Sequence, residues 1–223
     1  MESEDHNLTI IACPNCAYDV EADITTVLRV NDQALDALFQ GELNRVICPQ
    51  CSQEFLYESA LVFKSEEQDY FIYYNPDIAP LGWKEADKQM KIALDSSLAE
   101  LDPEDRPECR LTLTRNEFIE KIALHISNLD DRLIEYLKFH IFSQEEDLNP
   151  NVHHLLYDFS RSDHHMIEFS VIDTHEGKLL QNTQTPTDML VTLQGMLEAD
   201  DCPVDIDEVF AGLYVQAHCL FER

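Results

Sequence analysis

The sequence predicts an α+β protein in which a β-rich, metal-stapled N-terminal module precedes a smaller module of helices and a β-hairpin. Three observations carry this reading. Two Cys-Pro-x-Cys pairs, Cys13-Pro14-Asn15-Cys16 and Cys48-Pro49-Gln50-Cys51, stand in the first quarter of the 223 residues. Around them apolar and polar residues alternate, as in Val20, Ala22 and Ile24 set against Asp19, Glu21 and Asp23. A period of two is that of a half-buried strand. The second half changes to helical periodicity with capping signals, interrupted by two strand-like runs.

The cysteine pairs are the most specific feature. Four thiolates in two CxxC pairs can enclose one Zn²⁺ as a closed tetrahedron. Proline after each first cysteine presets the turn that brings the second sulfur round to the same ion. The competing readings are a disulfide framework and a thioredoxin-like redox motif. The start Met1-Glu2-Ser3-Glu4-Asp5 has no basic n-region and apolar h-region. No apolar run reaches the roughly 18 residues that cross a bilayer. A cytoplasmic location is therefore expected, where paired cysteines favour metal over disulfide. A redox motif needs one CxxC, not two matched ones. The expected ligands are Cys13, Cys16, Cys48 and Cys51, with Zn²⁺ as cofactor. Four cysteines leave no open coordination position, so the ion activates no water. Its work is to replace a core that a small module could not otherwise build. The pairs lie further apart than the roughly 15–20 residues of a minimal two-knuckle site, so an insertion separates them. Cys109, Cys202 and Cys219 are scattered and read as ordinary small residues.

Charge narrows the function. Acids outnumber bases 44 to 15, for a net −29. The excess is spread: 15 acids against 3 bases in residues 1–78, 16 against 9 in 79–148, and 13 against 3 in 149–223. Binding to a nucleic-acid backbone needs Lys and Arg to displace counterions. The first module offers Arg29, Arg45 and Lys64. Direct nucleic-acid binding is therefore not expected; the charge permits a basic protein partner, while solubility or adaptation to a salty cytoplasm is the simpler account of it.

The elements follow in order. Leu8–Ala12 is a strand running into the first knuckle, and residues 19–24 form the next. Asn31 is placed to cap a helix over Gln33–Gln40, whose apolar face is Leu35, Leu38 and Phe39 and whose stop is Gly41. Arg45–Ile47 leads into the second knuckle. Gln53–Phe63 and Tyr70–Tyr74 read as two further strands, closed by Asn75-Pro76-Asp77. The result is a zinc ribbon with one helix inserted between its knuckles.

The two Cys-Pro-x-Cys knuckles, the helix ending Gly41-Glu42-Leu43-Asn44, and the Phe55/Tyr57 strand together resemble the CpXC domain, a bacterial and archaeal family. The resemblance covers about residues 8–76. The stretch Arg115-Asn116-Glu117-Phe118-Ile119-Glu120-Lys121 through Asp130-Asp131-Arg132 is similar to the region that follows this domain in longer members. The resemblance implies cysteine-bound metal and no activity. One departure from ribbons in general stands out: Ala17 and Ser52 follow the second cysteines, where glycine commonly accepts φ > 0. A positive φ there costs each knuckle on the order of 1 kcal/mol.

Residues 79–109 read as a helical linker, punctuated by Pro80, Gly82, Pro103 and Pro107. Within it Ala86, Met90, Ala93, Leu94 and Leu98 share one helix face. The tryptophan, Trp83, stands at its head. The ribbon domain thus occupies 1–78 and a C-terminal α+β domain 110–223. That domain opens with a strand at Arg110–Leu113. Thr114-Arg115-Asn116-Glu117 has the form of a capping box, and Asp130 caps a second helix through Phe142. Val152–Phe159 and Met166–Ile172 form a hairpin around Ser160-Arg161-Ser162. Thr185-Pro186 opens a third helix through Glu198, and Asp205 caps a last one reaching His218.

The expected function is a zinc-binding, non-enzymatic adaptor that recognises a protein partner. Its candidate contacts are Phe55, Tyr57, Phe63, Tyr70, Phe71 and Tyr73, of which one alternate set faces the core. Two alternatives come from other classes. His153-His154 and His164-His165 flank the hairpin turn, so His154, His164 and Asp163 would build a catalytic metal site if the strands brought them together. An acidic mimic of nucleic acid would block a basic partner. Asp200-Asp201 and Asp205-x-Asp207-Glu208 lack the spacing and glycine of a calcium loop. Oligomeric state is not legible.

Overall fold

The computed structural model describes residues 6–65, 69–198 and 205–222; Cys202 and Asp200-Asp201 lie outside them. By internal contacts the chain divides into two compact units after Ile119. The sequence places the opening of the second domain at residue 110.

The first unit contains two hairpins and one four-stranded sheet. β1 (His6–Ala12) and β2 (Asp19–Thr25) pair antiparallel, Ala12 opposite Asp19. β4 (Arg45–Ile47) and β5 (Glu54–Leu56) pair likewise, Ile47 opposite Glu54. Each knuckle is the turn of one hairpin. The sheet has the order β3 (Val27–Arg29), β6 (Leu61–Ser65), β7 (Tyr70–Tyr74), β8 (Glu108–Thr112). β3–β6 and β7–β8 are parallel, β6–β7 antiparallel. Parallel neighbours require a crossover of a dozen or more residues, usually carrying a helix. The first crossover holds α1 (Gln33–Phe39) and the second knuckle. The second holds α2 (Trp83–Ser97), so residues 79–107 connect two strands of one sheet.

Several local readings shift. Asp32, not Asn31, caps α1, its Oδ1 accepting from the Ala34 N–H at 3.2 Å. Asn31 instead takes the left-handed turn before it, at φ 63°. Gly41 ends α1 in a Schellman motif: its N–H donates to Leu38 O and that of Glu42 to Ala37 O. The single strand expected over Gln53–Phe63 is two, β5 and β6, in different sheets. Buried Asn44 breaks it. Its carbonyl accepts from the Tyr57 N–H, and its Nδ2 reaches the Ser59 Oγ.

α3 (Arg115–Ile126) starts with the expected capping box: Glu117 N–H donates to Thr114 Oγ1 at 3.2 Å, and Glu117 Oε2 accepts from Thr114 N–H at 3.2 Å.

In the second unit, α4 (Asp131–Gln144) is capped by Asp130. The expected hairpin, β9 (His153–Tyr157) and β10 (Met166–Asp173), gains a third strand, β11 (Leu179–Pro186), on the other side of β10. Pro186 therefore ends a strand instead of opening a helix; there its missing N–H is tolerated. α5 follows at Thr187–Glu198. The helix expected from Asp205 to His218 is only α6, Ile206–Val209, capped by Asp205. The residues beyond it are drawn to other work, the Ala217 N–H donating to Glu135 Oε2 at 2.8 Å.

That bond is part of a buried ionic cluster. Lys121 Nζ lies 3.0 Å from Asp131 and 3.2 Å from Glu135; Lys138 Nζ lies 2.7 Å from Glu120 and 2.9 Å from Glu135. Burial pushes the Glu135 carboxyl up, but the two lysines outweigh it and hold the group below its ordinary value. Glu120, with an Oε2 that makes no hydrogen bond, is held up by burial. Removing one member leaves an uncompensated buried charge. Lys121→Met is expected to destabilise the second unit by about 3–5 kcal/mol, measured as a fall in its urea midpoint.

Candidate metal centre

The two knuckles are built alike. At each, the hairpin closes on paired backbone bonds: Cys13 N–H to Tyr18 O and Ala17 N–H to Cys13 O, Cys48 N–H to Gln53 O and Ser52 N–H to Cys48 O, all 2.9 Å. Ala17 and Ser52 stand at φ 58° and 59°. Both knuckles thus adopt the left-handed turn without glycine, and bear the strain the sequence implies. The strain is tolerated because these turns set where the sulfurs point. Each second cysteine accepts a bond from the amide two residues on, Cys16 from Tyr18 and Cys51 from Gln53.

The four Sγ atoms all lie within 4.8 Å of one another. Across the knuckles, Cys13 Sγ is 3.7 Å from Cys51 Sγ and Cys16 Sγ 3.6 Å from Cys48 Sγ. A disulfide has sulfurs about 2.05 Å apart, and the cysteines are free. A tetrahedron with metal–sulfur bonds of about 2.3 Å has edges of about 3.8 Å. The donor set therefore fits one tetrahedral ion. Cys13 and Cys48 are buried, Cys51 half-buried and Cys16 exposed, which leaves the ion an entry side. Among the described residues this is the group of metal-capable side chains that comes together.

The sulfurs are poised unequally. The Asn15 side chain, reaching from the other knuckle, and the Gln53 amide pull the Cys51 thiol down to about 6. The Tyr18 amide also favours the Cys16 thiolate, yet loss of solvent and then hydrogen bonding with Cys51, Cys48 and Cys13 carry its thiol up to about 12. Four thiols this close do not all ionise without a cation among them. A cation held between the sulfurs would supply that charge.

The centre's support is short in apolar matter. The core around it consists of Ile11, Val20, Ile24 and Val46 with Cys13 and Cys48 themselves, flanked by Ala22, Cys51, Phe55 and Tyr57. Asn44 ties the two hairpins together without metal: Thr25 N–H donates to its Oδ1 at 3.0 Å, and its Nδ2 donates to Thr25 O at 2.9 Å. This explains the Gly41-Glu42-Leu43-Asn44 ending physically. Gly41 turns the chain, and Asn44, at φ 61°, delivers an amide that completes the end of β2. Nothing in the spacing of the sequence marks Asn44 for this role; a polar residue directly before an apolar strand was the available signal.

The other candidates separate. His154 lies opposite Ile172 in the β9–β10 register, and Ile172 is eight residues along the chain from His164. At about 3.3 Å per strand residue the two are held apart. His154 stacks parallel on His218, centroids 6.1 Å apart, while His164 packs on His165. Asp163 Oδ1 accepts from the amides of His165 and Met166, closing the loop. Cys109 and Cys219 are buried, and burial pushes the Cys109 thiol up to about 11. Of the six aromatics, Phe63 and Tyr70 are buried and Phe55, Tyr57, Phe71 and Tyr73 half-buried. Phe71 and Tyr73 are the alternate set, stacked on each other at 6.4 Å. No helix among the described residues is long and apolar enough to cross a membrane.

Asn44→Ala removes three side-chain hydrogen bonds, two to the Thr25 backbone and one to Ser59 Oγ. It should destabilise the first unit by about 2–4 kcal/mol, read as an earlier unfolding transition at unchanged metal content. Acid should release the ion progressively, because protons compete for thiolates that the metal needs ionised. Several protons should be taken up for each ion released, and release without proton uptake would contradict cysteine ligation.

Comparison with curated proteins and with solved structures yields no match for this chain. The family described as CpXC protein matches residues 11–138. That span takes in both knuckles, the Gly41–Asn44 ending, the sheet, and the helices at Arg115–Lys121 and Asp130–Arg132. With more than half of its length matched, this chain belongs to the CpXC protein family.

Proposed function

We propose that the protein is a non-enzymatic interaction protein whose N-terminal unit is organised by one structural zinc ion on Cys13, Cys16, Cys48 and Cys51. The observation that carries this reading is the closed set of four sulfurs at tetrahedral spacing. A soft, all-thiolate tetrahedron suits Zn²⁺ among common cellular cations, whereas Mg²⁺ and Ca²⁺ take oxygen. With every position taken by cysteine, the ion holds structure and performs no chemistry. The reduced thiols fit a cytoplasmic setting. The net charge of −29 favours a basic protein partner and disfavours a phosphate backbone or an anionic bilayer.

The test is metal content of protein purified without chelator, for the wild type and for Cys48→Ser/Cys51→Ser. One zinc per chain, lost in the variant together with the fold of the first unit, supports the reading. Two metals per chain, one surviving the substitution, would instead point to a second site and revive an enzymatic role around His154.

A further inference from the structure

We propose that the outward face of the β1–β2 hairpin is a docking surface, and that its occupant is a basic segment of a protein partner with apolar side chains between its cations. This rests on the reading of the chain as an interaction protein. The hairpin register assigns its two faces. Ile11, Val20 and Ile24 point to the core beside the sulfurs. The other face carries Leu8 opposite Asp23, Ile10 opposite Glu21 and Ala12 opposite Asp19, all six exposed.

Leu8 and Ile10 are 71% and 73% exposed, the most exposed large apolar side chains among the described residues. They stand two residues apart on one strand, about 7 Å, so one occupant covers both. Scattered exposed aliphatics need no explanation; two in register on an uncharged strand are different. β1 holds no Asp, Glu, Lys or Arg, although charge is the usual guard of an exposed edge. The column beside it is wholly acidic. Cross-strand neighbours stand about 4.5–5.5 Å apart, so the aliphatic and the acidic column form one continuous strip.

The arrangement therefore fits one chemistry: aliphatic groups laid on Leu8 and Ile10, with Lys or Arg reaching Asp19, Glu21 and Asp23. A second copy of the chain brings its own carboxylate column and is repelled. Phosphate backbones and anionic lipid are repelled likewise. Ala12 and Asp19 adjoin the first knuckle, so the bound metal holds this face in shape.

The test uses the full metal-loaded chain and two probes, a short peptide of alternating lysine and isoleucine and its glutamate counterpart. Amide shifts read by NMR should cluster in residues 7–12 and 19–25 with the lysine peptide alone. Leu8→Ser/Ile10→Ser and Glu21→Lys should each weaken binding at least about tenfold at unchanged metal content, while Glu145→Lys, an exposed control, changes little. Unchanged affinity in both hairpin variants overturns this surface while leaving an interaction protein standing. Equal binding of the glutamate peptide, or no binding of the lysine peptide by metal-loaded wild type, also overturns the proposal. Loss of the interaction reading itself is scored separately, by the metal stoichiometry.

Discussion

The two N-terminal hairpins meet at four converging sulfurs, and their arrangement depends on that point of contact. β4 and β5 have three residues each. An isolated two-stranded hairpin is marginal in water at best. The buried cluster joining the hairpins is small, and two of its six buried members are cysteines. Apolar burial on that scale does not hold two turns at φ near 60° on non-glycine residues. A metal ion held by the four sulfurs in the folded arrangement and not in the unfolded chain would supply the missing stability.

The chain economises around that centre. Asn44 supplies polar glue where hydrophobic contact is scarce. Arg115 donates to Leu43 O at 2.8 Å and pairs with Glu58 at 3.3 Å, while Tyr74 O–H donates to Glu58 at 3.0 Å. Residues far apart in sequence thus hold the Leu43–Asn44 corner. The second unit uses the opposite strategy, a large apolar core that also absorbs an ionic cluster. Its two lysines each bridge two carboxylates, while Glu120 keeps one oxygen without a hydrogen bond.

Features written in local chemistry were legible in the sequence. The knuckles, the glycine stop at Gly41, the Thr114–Glu117 capping box and the Asp130 cap each depend on a few adjacent residues, and each stands where its residues placed it. Features set by distant partners were not. β3 is three residues long, too short to show a period. The split between β5 and β6 is imposed by Asn44, some ten residues upstream. β11 is a polar edge strand without clean alternation, and Pro186 carries the same signal at a strand's end as at a helix's start. α6 stops at Val209, and the Ala217 amide, which a helix reaching His218 would satisfy internally, donates to distant Glu135. The convergence of Cys13, Cys16, Cys48 and Cys51 was readable because the CxxC spacing is itself a local pattern. The His154–His164 pairing was not, because one register decides it.

X-ray absorption at the metal edge of the purified protein tests the central claim most directly. The account predicts zinc in a shell of four sulfurs at about 2.3 Å, with no nitrogen or oxygen scatterer. A shell with fewer sulfurs completed by nitrogen or oxygen would place histidine, carboxylate or water on the ion. That result would contradict a closed structural centre.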